Sequence, residues 1–139
     1  MNILVIDAQG GGIGRQLVAK LLERIPEADI VAAGTNSMAT NAMIKAGAKK
    51  AATGENAIRY CASQAEIITG PIGILVANAM LGEISPAIAE SVGSSTAPKV
   101  LIPTAHCNTI IAGIKALPVK DSIEDAVDRI VRIHGGEDN

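Results

Sequence analysis

The stretch Asp7-Ala8-Gln9-Gly10-Gly11-Gly12-Ile13-Gly14 constrains the fold more than any other part of this chain. It follows the apolar run Ile3-Leu4-Val5-Ile6 and leads into a segment with Leu17, Val18, Leu21, Leu22 and Ile25 at helical spacing. Strand, glycine loop and helix, in that order, are the setting in which such a loop signifies phosphate binding. Glycine lets the backbone turn tightly and lets a ligand approach it closely. The following helix presents unpaired N–H groups and the positive end of its dipole to an anion. A plain strand-to-helix turn is the competing reading of the same residues.

Beyond the loop, apolar runs of strand length alternate with helical patterns, the signature of an α/β protein with a mostly parallel sheet. The expected strands are 2–7, 29–33, 50–53, 66–69 and 99–102, with 109–114 as a candidate sixth strand at the edge. The expected helices begin with 12–25 and a second one N-capped by Ser37 and closed by Gly47. Then come 55–63, a helix opened by Ser85-Pro86, and 122–133, where Asp121 and Glu124 form a capping box. Ile72 to Leu81 is nearly all apolar and reads as a helix buried on every side, against the core or a second subunit. Right-handed crossovers then give a single Rossmann-like, doubly wound domain over 1–134 with strand order 3-2-1-4-5, and 135–139 as a disordered tail. Such sheets bind ligands at the carboxyl ends of their strands, near the switch between strands 1 and 4. That rule gathers 7–15, 34–37, 53–56, 70–74 and 103–108 into one mouth.

The chain has 139 residues, a net charge of −2, no Phe or Trp, and a single tyrosine, Tyr60. It therefore lacks both the basic footprint and the stacking rings of a nucleic-acid binder. No apolar run reaches membrane-spanning length, and the chain opens on a strand rather than on a charged and then apolar leader, so a cytoplasmic protein is expected. Two cysteines, Cys61 and Cys107, are too few for a disulfide framework, and no metal-ligand constellation stands out.

Within the mouth, Gln9, Gly10, Gly11, Gly12, Ile13 and Gly14 are the candidate phosphate cradle, with Arg15 in the first helical turn as a cation within reach. Thr35, Asn36 and Ser37 occupy the place where NAD-binding folds carry an acid for the ribose 2′-hydroxyl. Neutral groups there lean away from a standard NAD site and leave a phosphorylated ribose, another nucleotide or a helix cap as readings. Thr53, Gly70 and Pro71 would line the remainder. Asp7 either orients its own loop or serves as a metal or acid–base residue. Histidine as a residue type can titrate near neutral pH, which makes His106, just after the fifth strand, the candidate acid or base. It is favoured over Cys107 because adjacent side chains on an extended segment point opposite ways.

The loop resembles the short-chain dehydrogenase fingerprint G-x-x-x-G-x-G, with Ala8, Gly12 and Gly14 at its three positions and alanine replacing the first glycine. That resemblance implies that Gly12 admits a pyrophosphate and that Gly14 lets helix and strand pack closely. The Tyr-x-x-x-Lys pair of those enzymes is missing, since Gln64 stands four residues after Tyr60. Other motifs join the loop: Gly34-Thr35-Asn36-Ser37, Ala52-Thr53-Gly54-Glu55-Asn56-Ala57, Gly70-Pro71-Ile72-Gly73 and Pro103-Thr104-Ala105-His106-Cys107. Together, along nearly the whole chain, they resemble a family of small bacterial proteins, frequent in anaerobic Firmicutes and known only as a domain of unknown function. The resemblance implies a Rossmann-like fold in a cytoplasmic bacterial protein, and no activity. The expectation is a nucleotide or dinucleotide site, NAD(P) or another adenine nucleotide foremost, in a homo-oligomer that partners neither nucleic acid nor membrane. Two readings of other classes stand beside it. One is a non-catalytic ligand sensor or partner protein. The other is a small enzyme on a phosphorylated or carboxylated metabolite, with Asp7 and His106 as acid and base.

Overall fold

The computed structural model describes residues 2–104 and 108–137. Its five strands, β1 (Asn2–Asp7), β2 (Asp29–Gly34), β3 (Lys50–Thr53), β4 (Ile67–Pro71) and β5 (Lys99–Ile102), form one parallel sheet in the order β3-β2-β1-β4-β5. β1 is central, with Ile3 opposite Ile30 on one side and Ile67 on the other. Its continuous apolar run reflects burial on both faces, as parallel sheets require. Alternate residues then feed two cores. On one face Ile3 and Val5 meet Leu17, Val18 and Leu21 of α1 (Gly12–Arg24), Met43 of α2 (Ser37–Lys45), and Ile123, Val127 and Ile130 of α5 (Val119–His134). On the other, Leu4 and Ile6 meet Ile58 of α3 (Glu55–Gln64), Ile88 and Val92 of α4 (Pro86–Ser94), and the loop residues Ile74 and Ile84. The chain thus forms a single α/β domain with the expected strand order. No described helix is long and apolar enough to cross a membrane.

Four local expectations are corrected. Residues 109–114 form no strand, and the described sheet ends at β5. Gly113 (φ 83°) breaks the extended run, and Ile110 stays 95% exposed, so pairing there would bury nothing. Ile72–Leu81 is not a buried helix: a short 3-10 turn, Ile72–Leu75, gives way to irregular turns that end with Leu81 98% exposed. Gly73, Asn78 and Gly82 interrupt what composition alone makes look continuous. Asn36 rather than Ser37 caps α2, accepting the Ala39 N–H at 2.9 Å. Finally, α5 starts earlier than expected, after Pro118, which places Asp121 in its first turn with no side-chain cap. Gly135, Gly136 and Glu137 donate hydrogen bonds back to the last turn of α5.

Candidate functional site

β1 delivers Asp7 to the carboxyl edge of the sheet, opposite Gly34 of β2. The chain then turns on itself, with the Gly11 N–H donating to the Ala8 carbonyl at 3.0 Å, before α1 begins. Gly11 (φ 71°) is the N-cap, and a Cβ there would lie 2.9 Å from the Cα and carbonyl oxygen of Ala39, because α2 packs directly on the loop. At Gly14 a Cβ would lie 2.7 Å from Met43 Sδ and 2.9 Å from Asp7 Cβ. These two glycines serve packing. Above Gly10 and Gly12 the opposite holds, since an added Cβ would meet nothing within 4 Å.

Asp7 is buried, and its carboxylate caps α1 from the preceding strand. Oδ2 accepts the Gly14 N–H at 2.7 Å and Oδ1 the Ala8 N–H at 2.8 Å. Burial pushes the Asp7 carboxyl above its ordinary range. Hydrogen bonds from the Gly14, Ala8 and Ile13 amides pull it back without reversing the shift, and the charge of Glu83 adds to the rise. With Ala8, Ile13 and Gly14 thus engaged, and Gln9 and Gly11 bonded elsewhere, the loop amides without a partner among the described residues are those of Gly10 and Gly12. A cleft of about 320 Å³ opens beside them. Its walls are Ile13, Pro71, Met80 and Val119, with Gln16 and Thr104 as polar groups, and Gln16 Nε2 donates to the Gly12 carbonyl at 2.9 Å. A mostly apolar cleft with a few convergent polar groups at a sheet's switch point is the usual form of a small-molecule site.

The expected residues divide. Asp7, Gln9, Gly10, Gly11, Gly12, Ile13 and Pro71 all line this cleft. Gly14 lies beneath it as a packing residue. Arg15 and Ser37 face a separate shallow groove between α1 and α2, shared with Asn41 and Lys45. Thr53 Oγ1 donates to Thr40 Oγ1 at 2.7 Å and so ties β3 to α2. Gly70 lets β4 pass close to β1, where a Cβ would collide with the Ile6 carbonyl oxygen. Thr35 and Asn36 both donate to Glu83. His106 lies outside the described residues. Gly73 and Thr104, within the expected segments 70–74 and 103–108, also line the cleft, whereas sequence reasoning missed Met80 and Val119 as cleft residues, and it missed Glu83. One signal pointed to Glu83: it is the single charged residue between Glu66 and Glu90. Among the described residues no group of His, Cys, Asp and Glu could hold a metal ion.

Residues 2–135 match the family model of DUF3842, a domain of unknown function. The chain belongs to that family. No curated protein matches it. Among solved structures it is similar, over 100% of its own length and 97% of the other chain, to a dodecameric FMN-dependent UbiX-like decarboxylase from Escherichia coli O157:H7, with 16% identity and a TM-score of 0.51. A second likeness, to AibC, covers 98% of this chain and 42% of that one, with 14% identity and a TM-score of 0.45. At such identities the first likeness is one of fold, and the family carries no activity. The chemistry has to be read from the cleft.

Proposed function

We propose that this chain binds a nucleotide through its phosphate, seated on the Gly10 and Gly12 amides, with the rest of the ligand in the cleft between Ile13, Pro71, Met80 and Val119. The observation that carries this reading is the pair of unpartnered amides under open surface at the start of α1. The helix dipole adds its positive end at the same point. Flavin mononucleotide is the first ligand to try, because the chain shares its fold with an FMN-dependent enzyme. NAD(P), foremost on sequence grounds, and the adenine nucleotides belong beside it.

The described cleft wall contains one titratable side chain, Asp7, and both of its oxygens hold loop amides. That favours, as a second reading, a protein that senses its ligand rather than transforms it. If turnover occurs, His106 is the proposed acid or base, with Asp7 holding the loop. We also propose that the protein is cytoplasmic and self-associates. Ile110, Ile114, Leu117 and Val119 stand exposed in one stretch beside the cleft, and the structural neighbour is a dodecamer.

The test is thermal unfolding against FMN, FAD, NAD(H), NADP(H), AMP, ATP and coenzyme A. A ligand at about one hundred times its Kd adds about 2.7 kcal/mol. At least one nucleotide should raise the midpoint of the wild type and leave Gly12→Val unmoved. No response to any nucleotide, or an equal response in Gly12→Val, would overturn the reading.

A further inference from the structure

Glu83 sits on an irregular segment between the 3-10 turn and α4. After the 3-10 turn, residues 76–84 fold into a compact loop in which Asn78, Met80 and Leu81 hold left-handed φ values of 66°, 57° and 59°. Side chains rarely adopt that conformation, and where they do the surroundings have to impose it. Here the Asn78 N–H donates to the Ile84 carbonyl at 2.7 Å, the Ile84 N–H donates back to Ala79, and the Ile84 side chain is fully buried. The result is a strap that lays Met80 on the cleft and carries Glu83 to the end of β2.

There Glu83 Oε1 accepts three hydrogen bonds from three sources: the Gln9 N–H at 2.9 Å, Thr35 Oγ1 at 2.6 Å and Asn36 Nδ2 at 2.8 Å. Asn36 Nδ2 also donates to the Gln9 carbonyl at 3.0 Å, so the left-handed Gln9 (φ 52°) is pinned on both sides. Oε2 takes no hydrogen bond among the described residues. A carboxylate fixed through one oxygen, with the other unused, is a preset acceptor for a hydroxyl group.

The place gives this acceptor its meaning. Nucleotide-binding sheets of this architecture hold a ribose 2′-hydroxyl with an acid carried by the strand next to the glycine loop. Here that strand, β2, has its one acid, Asp29, at its far end, and neither Gly34 at its carboxyl end nor Thr35 and Asn36 after it supplies one. The acid arrives instead from the other half of the sheet, bonded to the very residues that replace it and to the first amide of the glycine loop. We infer that Glu83 Oε2 accepts the 2′-hydroxyl of a ribonucleotide whose phosphate rests on Gly10 and Gly12, so that the site takes ribonucleotides with a free 2′-hydroxyl and rejects 2′-deoxy and 2′-phosphorylated ones. This rests on the nucleotide reading above and adds a sugar requirement to it.

Calorimetric titration of AMP, 2′-deoxy-AMP, NAD and NADP into the wild type, Glu83→Ala and Glu83→Gln tests it. The wild type should prefer AMP over 2′-deoxy-AMP, and NAD over NADP, by about tenfold or more, the scale of a hydrogen bond to a charged group. Glu83→Ala should lose both preferences. Glu83→Gln keeps an acceptor for the three loop donors, so the strap stays in place, but an amide donor now replaces Oε2. It should accept NADP about as well as NAD, and it carries the test if the alanine variant does not fold. Equal binding of AMP and 2′-deoxy-AMP by the wild type overturns the inference alone, as does a preference that survives in both variants. So does binding of FMN without AMP or NAD. Failure of every nucleotide to bind removes the nucleotide reading and this inference together.

Discussion

Gly14→Ala separates two tasks that a single glycine-rich loop performs. The Cβ it adds falls 2.7 Å from Met43 Sδ and 2.9 Å from Asp7 Cβ. Both neighbours are buried, and Asp7 is anchored at its far end by the Ala8 and Gly14 amides, so neither can retreat freely. Overpacking of this kind costs about 1–3 kcal/mol. Pushing Asp7 aside also weakens the Gly14 N–H bond to its carboxylate, a type worth about 1.5–3 kcal/mol when intact. The better helix propensity of alanine returns about 1 kcal/mol. With that bond lost, the net cost is about 1.5–5 kcal/mol, the scale of core strain. For 139 residues at about 2.1 cal/mol/K each, the unfolding entropy is about 0.3 kcal/mol/K, so the midpoint should fall by about 5–17 °C. Gly12→Ala is the matched control, because its Cβ meets nothing within 4 Å. Its midpoint should stay within about 2 °C of the wild type. Scanning calorimetry without ligand reads both. A Gly14→Ala midpoint within about 2 °C of the wild type, or a Gly12→Ala midpoint that falls as far as Gly14→Ala, would refute the division of labour between these glycines.

Other consequences follow from the same contacts. Gly12→Val should unfold at nearly the wild-type temperature yet lose nucleotide stabilisation, because its branched side chain fills the open surface over the loop. Glu83 has its carboxyl held below the usual range: burial raises it, but hydrogen bonds from Thr35, Gln9 and Asn36 outweigh that rise. Its stabilising contribution is complete above the ordinary glutamate value of 4.5 and is lost as pH falls through the lower folded value. Chemical denaturation should therefore show the gap between wild type and Glu83→Ala closing in acid, and a gap that widens in acid would contradict the latch. Asp7 has the opposite sign. Its folded value lies above 3.8, so the wild-type advantage over Asp7→Asn should shrink as pH rises through that value, read by the same denaturation series. Ile84→Ala empties a fully buried site under the strap and should cost about 2–5 kcal/mol, with faster amide exchange over residues 76–84 as its signature.

Much of this architecture is legible in the chain. β1 and β2 announce themselves as apolar runs, and β3, only Lys50–Thr53, is marked by the turns on either side rather than by its own alanines. The strand order follows from handedness once those runs are placed. The glycine loop is visible too, but which glycines serve packing and which face open space depends on α2, whose Ala39 and Met43 approach from a distant part of the sequence. Ile72–Leu81 misleads because composition cannot distinguish a buried helix from an apolar strap whose shape comes from left-handed backbone at Asn78, Met80 and Leu81. Glu83 is out of reach for a related reason. An isolated acid in an apolar stretch is noticeable, but its meeting with Gln9, Thr35 and Asn36 is a product of tertiary folding. The run 109–114 has the β-branched content of a strand, but Gly113 takes a left-handed φ of 83° and Ile110 stays exposed.

The central claim is that a nucleotide phosphate rests on the Gly10 and Gly12 amides. Amide chemical-shift mapping by NMR, with AMP and FMN titrated into nitrogen-labelled protein, tests it at those two atoms. The predicted result is that the amides of Gly10 and Gly12 show the largest shifts, saturating with the ligand, while the amide of Gly14, bonded to Asp7, moves little. Saturable binding whose largest shifts fall elsewhere, or no saturable shift at all, would contradict the account.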